Sequence, residues 1–341
     1  MQKKEFDLLA LGEILLRLSP PDNERIVRGD AFQKQVGGAE LNVASGVSLL
    51  GLRSGIISRI PDTSIGIFAK NKIRFSGVSD DYLVYDTGRD ARLGVYYYEN
   101  GAYPRKPGVV YDRQHSSMTR ITAEEFPEEI YEAARCFHTS GITLALSGQC
   151  RKTGVEMIKR FKEHGTLISF DVNFRGNLWT GEEARECIEG ILPYVDIFFC
   201  SEDTARLTFG KEGDVKTVMK SFARDYPISV IASTQRTVHS PKVHSFTSVI
   251  YDAGKDRYYE EKPYKNIEVV DRIGSGDAYV SGVLYGLLSE NGDCEKALKY
   301  GNASSAVKNT IPGDMPSLTR TEIQDIIDDH ENTGYHSEMK R

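Results

Sequence analysis

Short apolar runs alternate with amphipathic segments along most of this chain. Apolar runs of strand length occupy residues 6–11, 55–60, 136–139 and 166–171, and helical spacing occupies residues 39–50, 64–75, 122–135 and 151–164. A strand buried on both faces reads as a continuous apolar run, and parallel strands need helical crossovers between them. The alternation therefore predicts an α/β fold, a three-layer αβα sandwich with a mostly parallel sheet between two layers of helices.

Two stretches interrupt this alternation. Residues 14–36 and 89–113 are rich in β-forming residues, and neither has a long helical period. We expect them to pair as a small β-sheet lid that is inserted into a single domain of residues 1–330. The polar tail of residues 331–341 is expected to fray.

Charge and cysteine content narrow the class of protein. The 341 residues include 43 Lys and Arg against 49 Asp and Glu, and the formal net charge of −6 argues against a globally basic nucleic-acid or membrane-surface binder. The five cysteines are widely spaced without a CxxC pair, which is typical of reduced thiols. No window reaches the roughly 18 uncharged apolar residues of a membrane span. We expect a cytoplasmic protein that binds neither nucleic acid nor membrane.

The segment 271–282 carries the strongest chemical signal. Gly274, Ser275 and Gly276 lie where a loop enters a predicted helix, so their N–H groups could hold an anion at the positive end of the helix dipole. Asp277 follows directly, where its charge would repel a phosphate unless it has another task. That task would be to accept a proton from a hydroxyl nucleophile while the N–H groups stabilise a transferred phosphoryl group. The alternative is an ordinary helix N-terminus, which also favours aspartate.

Two motifs together resemble the signatures of a known family. Residues 271–279, Asp-Arg-Ile-Gly-Ser-Gly-Asp-Ala-Tyr, resemble the C-terminal signature of the ribokinase-like sugar kinases, also called the phosphofructokinase B family. Residues 37–44, Gly-Gly-Ala-Glu-Leu-Asn-Val-Ala, resemble its N-terminal signature. The resemblance covers about residues 5–320 and implies a ribokinase-like fold that phosphorylates a sugar hydroxyl with ATP.

The resemblance also implies roles for individual residues. Asp277 would be the general base, and Gly274, Ser275 and Gly276 would form the anion hole. The sugar would contact Gly37, Gly38 and Asn42, although the residues alone fit a tight turn and a helix-surface amide as well.

Further segments narrow the expected substrate. Residues 137–142, 171–179 and 308–314 resemble 2-keto-3-deoxygluconate kinases within the family. Arg175 would then hold the substrate carboxylate in a bidentate pair, unless it forms a surface salt bridge. Tyr97 and Arg105 of the lid would also touch the substrate, and Arg17 stands where many sugar kinases carry an aspartate.

The expected reaction is ATP-dependent phosphorylation of the terminal C6 hydroxyl of 2-keto-3-deoxygluconate or its C4 epimer. One alternative is a fructokinase or another ketose kinase of the same fold. An alternative of another class is a noncatalytic protein that senses a sugar or a nucleotide.

The resemblance implies ATP and Mg²⁺ as cofactors. Ser233, Thr234, Arg236 and Asn302 fall in the segments expected near ATP, together with Gly274 and Gly276 of the anion hole. Glu202 and Asp203 replace part of the family's metal-associated motif and are weak Mg²⁺ candidates. The loop 306–313 is expected beside the anion hole, where related kinases often hold a monovalent cation such as K⁺. Pairing through the lid predicts a homodimer or a higher homo-oligomer.

Overall fold

The fold is built around one large sheet and one small sheet. The computed structural model describes residues 4–289 and 291–332. Within them, the large sheet contains ten strands: β1 Phe6–Leu11, β4 Ser54–Pro61, β5 Leu83–Asp86, β8 Ala134–Ser140, β9 Leu167–Asp171, β10 Ile197–Phe199, β11 Val230–Ser240, β12 Val243–Asp252, β13 Arg257–Glu260 and β14 Tyr264–Glu268. The small sheet contains β2 Leu15–Ser19, β3 Gln33–Gly37, β6 Gly94–Glu99 and β7 Gly108–Asp112.

Ten α-helices are present among the described residues. They are α1 Ala39–Leu49, α2 Ser64–Phe75, α3 Gly141–Ala145, α4 Gly148–Glu163, α5 Gly181–Ile191, α6 Glu202–Phe209, α7 Val215–Asp225, α8 Ser275–Leu288, α9 Cys294–Asn309 and α10 Arg320–Glu331. None of the described helices is long and apolar enough to cross a membrane. The last helix reaches Glu331, and the predicted frayed tail otherwise lies almost entirely outside the described residues.

The large sheet is parallel through most of its width. Its strand order is β13-β12-β11-β10-β9-β8-β1-β4-β5, with parallel pairing from β11 to β5 and antiparallel pairing of β12 with β11, β13 and β14. The carboxyl ends of parallel strands lie at one edge of a sheet, and that edge is where α/β proteins place their ligands. This edge carries the candidate site.

Alternating side chains of the interior strands pack against the two layers of helices. On one face, Leu8 of β1 belongs to a core cluster with Val43 of α1 and Leu284 of α8. On the other face, Leu9 belongs to a cluster with Phe161 of α4. Successive residues of a strand point to opposite faces, so one strand supplies both cores. The αβα sandwich expected from the sequence is confirmed.

One predicted helix is wrong. Thr122 and Glu125 do form a capping box, but it opens only a three-residue 3₁₀ turn, Ala123–Glu125. Phe126 is extended, and Pro127 precedes a second 3₁₀ turn, Glu128–Glu132. A proline disfavours helical geometry in the residue before it, so the helix cannot continue through Phe126.

Candidate active site

A cleft of about 450 Å³ opens at the carboxyl edge of the large sheet. Strand-end and helix-start residues such as Asp171 and Asp277 form its floor, and Tyr96 and Tyr111 of the small sheet form part of its wall. Tyr96 and Tyr111 are paired across β6 and β7 and therefore face the same side of the small sheet. The small sheet thus covers one side of the cleft.

The turn before α8 is shaped by its glycine. Gly274 has φ +81, in the left-handed region, and an added Cβ would overlap the backbone carbonyl oxygen of Asp314. Both conditions favour glycine at this position. Gly276 and Asp277 then lie in the first turn of α8, where N–H groups lack partners within the helix, and both residues line the cleft. This is the geometry of an anion site at a helix N-terminus.

Asp277 contacts Asn42, so the structure brings the two sequence motifs together. The Asn42 Nδ2 donates a hydrogen bond to Oδ2 of Asp277 at 2.7 Å, which joins residues that are 235 positions apart. Burial raises the pKa of Asp277 to about 6, although the Asn42 hydrogen bond and the Arg175 charge pull that pKa down. The carboxyl group is therefore mostly ionised at neutral pH and has one oxygen held by Asn42.

Gly38 positions the start of α1 beside the cleft. It has φ +140, and a Cβ there would overlap the carbonyl oxygen of Glu13. Gly37, the last residue of β3, leaves room for the Asp314 side chain. Gly38 and Asn42 line the cleft, whereas Gly37 does not.

Four further carboxyl groups line the cleft and received no role from the sequence, those of Asp171, Glu40, Glu13 and Asp314. Burial raises the pKa of Asp171 to about 7, with the Asp277 charge as a second cause. Burial also raises the pKa of Glu40, which accepts hydrogen bonds from Ser140 and Thr143 at 2.6 and 2.8 Å.

Glu13 is held in place by neighbours that leave it little freedom. Its Oε2 accepts a hydrogen bond of 2.8 Å from Nε of Arg113, and the Ser116 hydroxyl donates to its other oxygen. Glu13 follows β1 and Asp171 ends β9. A rule that marks carboxylates directly at the ends of predicted parallel strands would have found both.

Two arginines bring positive charge to the cleft. Arg175 and Arg236 both line it, and Arg175 also lines a second cavity of about 220 Å³ that adjoins it. Thr234 lines this second cavity with Ser201 and Thr204. Two connected spaces, one under the small sheet and one over the ends of β9 to β11, could hold two ligands that meet near Gly276.

Two predicted lid contacts do not reach the cleft. Tyr97 lies on the opposite face of β6 from Tyr96 and packs edge-on against Phe32, with ring centroids 5.7 Å apart. Strand alternation makes Tyr96 the residue of this run that faces the cleft. Arg105 forms an ion pair of 2.7 Å with Glu99 and does not line the cleft.

Arg17 is occupied within the protein. Its guanidinium forms ion pairs with Asp271 at 2.7 Å and Asp314 at 2.8 Å, and it lies over the Tyr98 ring. It does not line the cleft, and its guanidinium is paired within the protein instead.

Several predicted nucleotide and metal residues are also turned away from the two cavities. The Asn302 side chain is fully buried, accepting from Ser248 at 2.7 Å and donating to Glu261 at 2.6 Å. Ser233 is buried on β11 and, by strand alternation, points opposite to Thr234. Glu202 pairs with Arg206 on α6.

The residues predicted to bind Mg²⁺ do not lie at a preformed metal site. Asp203, like Glu202, lies in the first turn of α6 and is absent from both cavity walls. Within the described part of the chain, no group of three His, Cys, Asp or Glu residues is arranged to hold a metal ion.

Comparison with known proteins identifies the family. Residues 6–320 match the profile of the pfkB family carbohydrate kinases, and the chain therefore belongs to this family. It is 35% identical over 321 residues to the 2-dehydro-3-deoxygalactonokinase of Haloferax volcanii, covering 94% of this chain and 96% of that protein. The crystal structure of 2-dehydro-3-deoxygluconokinase from Thermotoga maritima is 33% identical, with a TM-score of 0.89, and the match covers 94% of this chain and 99% of that chain.

A more distant structural neighbour was solved with a nucleotide. The Ribokinase II structure from E. coli, in complex with ATP and Mg²⁺, has a TM-score of 0.81 at 20% identity over 95% of this chain and all of that one, which shows the shared fold. The protein is thus a carbohydrate kinase with the ribokinase-like fold.

Proposed function

We propose that this kinase transfers the γ-phosphoryl group of ATP to the C6 hydroxyl of 2-keto-3-deoxygluconate or its C4 epimer. The observation that carries the chemistry is the Asp277 carboxylate beside the Gly274 turn, with one oxygen held by Asn42 at 2.7 Å. The choice of an acidic keto-deoxy sugar is supported by the names of the Haloferax and Thermotoga relatives.

Asp277 would act as the general base. Its free oxygen accepts the proton of the attacking hydroxyl, whose oxygen forms the new bond to the γ-phosphorus while the bond to the ADP leaving group breaks. The N–H groups of the first turn of α8 stabilise the negative charge on the transferring group. Ionisation of Asp277 with a pKa of about 6 makes the base available at neutral pH.

Arg175 would hold the sugar carboxylate. Arg175 is exposed at the junction of the two cavities. It forms no ion pair with any of the described residues, which supports this role. A free guanidinium at a cleft wall can form a bidentate pair with a carboxylate. Gly38 would contact the sugar beside Asn42.

ATP would occupy the second cavity, with its γ-phosphate directed toward Gly276. Three side chains fit this ligand: Arg175 lies on the wall shared by the two cavities, Arg236 lines the cleft and Thr234 lines the second cavity. Mg²⁺ is commonly held by substrate phosphates and one or two carboxylates rather than by an all-protein cage, which agrees with the sparse carboxylates of this wall. When bound, the ion supplies charge neutralisation between the phosphates. Asp171 lines both cavities and is the carboxylate best placed to face it.

The test is a substrate panel with ATP and Mg²⁺. We expect turnover of 2-keto-3-deoxygluconate or 2-keto-3-deoxygalactonate above that of fructose and ribose. Arg175→Ala should raise KM for the acidic sugars more than for the neutral ones. An equal rise in KM for both classes of sugar would show that Arg175 does not hold the substrate carboxylate. A preference for fructose would support the ketose-kinase alternative, which the relatives named fructokinases also suggest.

A noncatalytic sensor is tested by Asp277→Asn. We expect this variant to bind nucleotide and to lose turnover, because amide nitrogen and oxygen cannot take the proton. Full activity in Asp277→Asn would remove the base assignment, and an inactive wild-type chain that still binds sugar would favour the sensor.

We also propose that the small sheet is a lid on a single domain of residues 1–330 and that it mediates a homodimer. The face of this sheet turned away from the cleft carries Val110, 62% exposed. Phe32, which precedes β3 and packs against Tyr97 of the same face, is 43% exposed. Exposed apolar edge strands such as β7 are commonly covered by a partner. A cytoplasmic location is part of the same proposal and is supported by the five cysteines, all free thiols in the structure.

A further inference from the structure

Lys308 is a fully buried lysine with an unusual pair of partners. Its side chain lies at the C-terminal end of α9 with no measurable exposure, and it is among the largest fully buried side chains described. Its Nζ donates hydrogen bonds to the backbone carbonyl oxygens of Asp271 at 3.2 Å and Ile311 at 3.1 Å. A buried lysine is costly unless its ammonium is paired, so this placement calls for an explanation.

The two carbonyl groups belong to the two loops that form and support the anion hole. One loop runs from residue 269 to Gly274, and the other runs from residue 310 to Asp314, whose carbonyl oxygen packs against Gly274. The loops are also joined directly, because the N–H of Gly313 donates to the Asp271 carboxylate at 3.0 Å. Lys308 therefore clamps together the segments that set the position of the Gly274 turn.

The charges around Lys308 favour a cation at this point. Asp271, Asp314 and Asp277 all act on it as neighbouring carboxylates, and their attraction opposes the loss of pKa that burial causes at Lys308. Arg17 compensates part of this negative charge through its pairs with Asp271 and Asp314. A second fixed cation offsets more of the negative charge where three carboxylates converge in a region of low dielectric constant.

The same point is where the sequence resemblance led us to expect a monovalent cation. The residues present do not fit that expectation, because the carbonyl oxygens of Asp271 and Ile311 already accept hydrogen bonds from one ammonium group. A cation between these oxygens would have to displace Lys308, whose side chain is enclosed by protein.

We propose that the Lys308 ammonium takes the place of a bound monovalent cation in this kinase and positions the Gly274–Gly276 turn. Lys308 does not line the cleft, so it is a positioning residue rather than a catalytic one. The consequence is a kinase that needs no K⁺, whereas removal of the lysine should create a need for one. The activity readout of this inference rests on the proposed kinase function.

The experiment compares potassium chloride with choline chloride at equal ionic strength, using full-length protein and choline salts of ATP. Lys308→Met keeps the side-chain length and removes the cation, whereas Lys308→Ala leaves a space that K⁺ or methylammonium can enter. Lys299→Ala is the matched control, since it removes from the same helix a lysine that pairs with Glu295 and Glu331 far from the turn.

We expect equal activity of the wild type and Lys299→Ala in both salts. Lys308→Met should lose about a hundredfold in kcat/KM in either salt, because small displacements of catalytic groups carry penalties of that size. Lys308→Ala should be as impaired in choline and should recover in part, with saturation, on addition of K⁺ or methylammonium. A purely structural lysine would not give recovery by an added cation.

Two results would overturn the inference: activation of the wild type by K⁺, or undiminished activity of Lys308→Met in choline. Thermal unfolding keeps the inference testable if no sugar is phosphorylated and the proposed function fails. In that case K⁺ should raise the Tm of Lys308→Ala and leave the wild-type Tm unchanged relative to choline. If neither variant folds, the wild-type salt comparison decides alone, with K⁺ activation as the refuting outcome.

Discussion

Asp277 combines a raised pKa with a carboxylate oxygen that is held by Asn42. Asp277 must be ionised to act as a base, and its pKa in the folded enzyme is about 6. It therefore loses this function as the pH falls through that value. We expect kcat/KM to be level near neutral pH and to fall about tenfold per pH unit well below pH 6. A pH profile of kcat/KM under saturating ATP measures this, and a profile that stays level to pH 5 would contradict it.

Asn42→Ala supplies a sharper form of the pH measurement. The Asn42 hydrogen bond favours the ionised carboxylate and lowers the Asp277 pKa, so its removal should raise that pKa. The acidic limb should therefore move to higher pH in addition to any loss of sugar binding. If the midpoint of the acidic limb did not move, Asp277 would not be the group that causes the pH dependence.

Gly274 and Gly276 offer a matched pair of glycine substitutions. Gly274→Ala forces a side chain into φ +81 and onto the Asp314 carbonyl, so we expect about 1–3 kcal/mol of lost stability from the strain and a loss of activity. At Gly276 nothing lies within 4 Å of an added Cβ, and the methyl group would project toward the cleft. Gly276→Ala should therefore unfold like the wild type in denaturant while losing activity. Equal destabilisation by both would contradict this distinction.

At the scale of elements, Arg17 on β2 ties the small sheet to the loops under the anion hole. It pairs with Asp271 and Asp314, and all three side chains are nearly inaccessible to solvent. Arg17→Met leaves two buried carboxylates without their partner, and we expect the free energy of unfolding to fall by about 3–5 kcal/mol.

Arg105→Met is the control for Arg17→Met. Arg105 pairs with Glu99 in the same sheet, but its side chain is 28% exposed, so its loss should cost about 0–1 kcal/mol. Urea unfolding of both variants measures the difference. Similar losses would show that the buried network contributes no more than a surface pair.

The elements and the residues at the helix starts of the site could be predicted because their signals are local. Helix α2 was predicted with the bounds Ser64–Phe75 that the structure has, and the two glycine-containing motifs place Asn42 and Asp277 at loop-to-helix junctions. Parallel-sheet topology brings such junctions to one edge. The hydrogen bond between Asn42 and Asp277 is a finding of the structure.

What could not be predicted depends on partners distant in the chain. Tyr96, Tyr97 and Tyr98 are alike in sequence, so nothing local says which of them faces the cleft. Asn302 looks like a polar helix residue until Ser248 and Glu261, from other segments, bury it. The role of Lys308 likewise depends on its hydrogen bonds to the carbonyl oxygens of two loops.

At the scale of the whole molecule, the proposed dimer can be tested through the outward face of the small sheet. Val110→Lys places a charge on this face, and we expect it to convert a dimer to a monomer, because burying an unpaired ammonium at an interface is unfavourable. Val238→Lys is the control, since Val238 is 54% exposed on β11 of the large sheet. Light scattering after size-exclusion chromatography measures the mass. A monomeric wild type at micromolar concentration would refute the dimer.

The hydrogen bond between Asn42 and Asp277 joins distant parts of the chain, as the cleft as a whole does, and this has a consequence for the synthesis of the protein. The cleft takes Glu13 from just after β1 and Asp314 from beyond α9, and Lys308 of α9 is translated after the Gly274–Gly276 turn that we propose it positions. A nascent chain on the ribosome therefore has no assembled site until almost every element has emerged. Prematurely terminated chains that end before α9 should contain much of the large sheet but should be unable to phosphorylate a sugar with ATP.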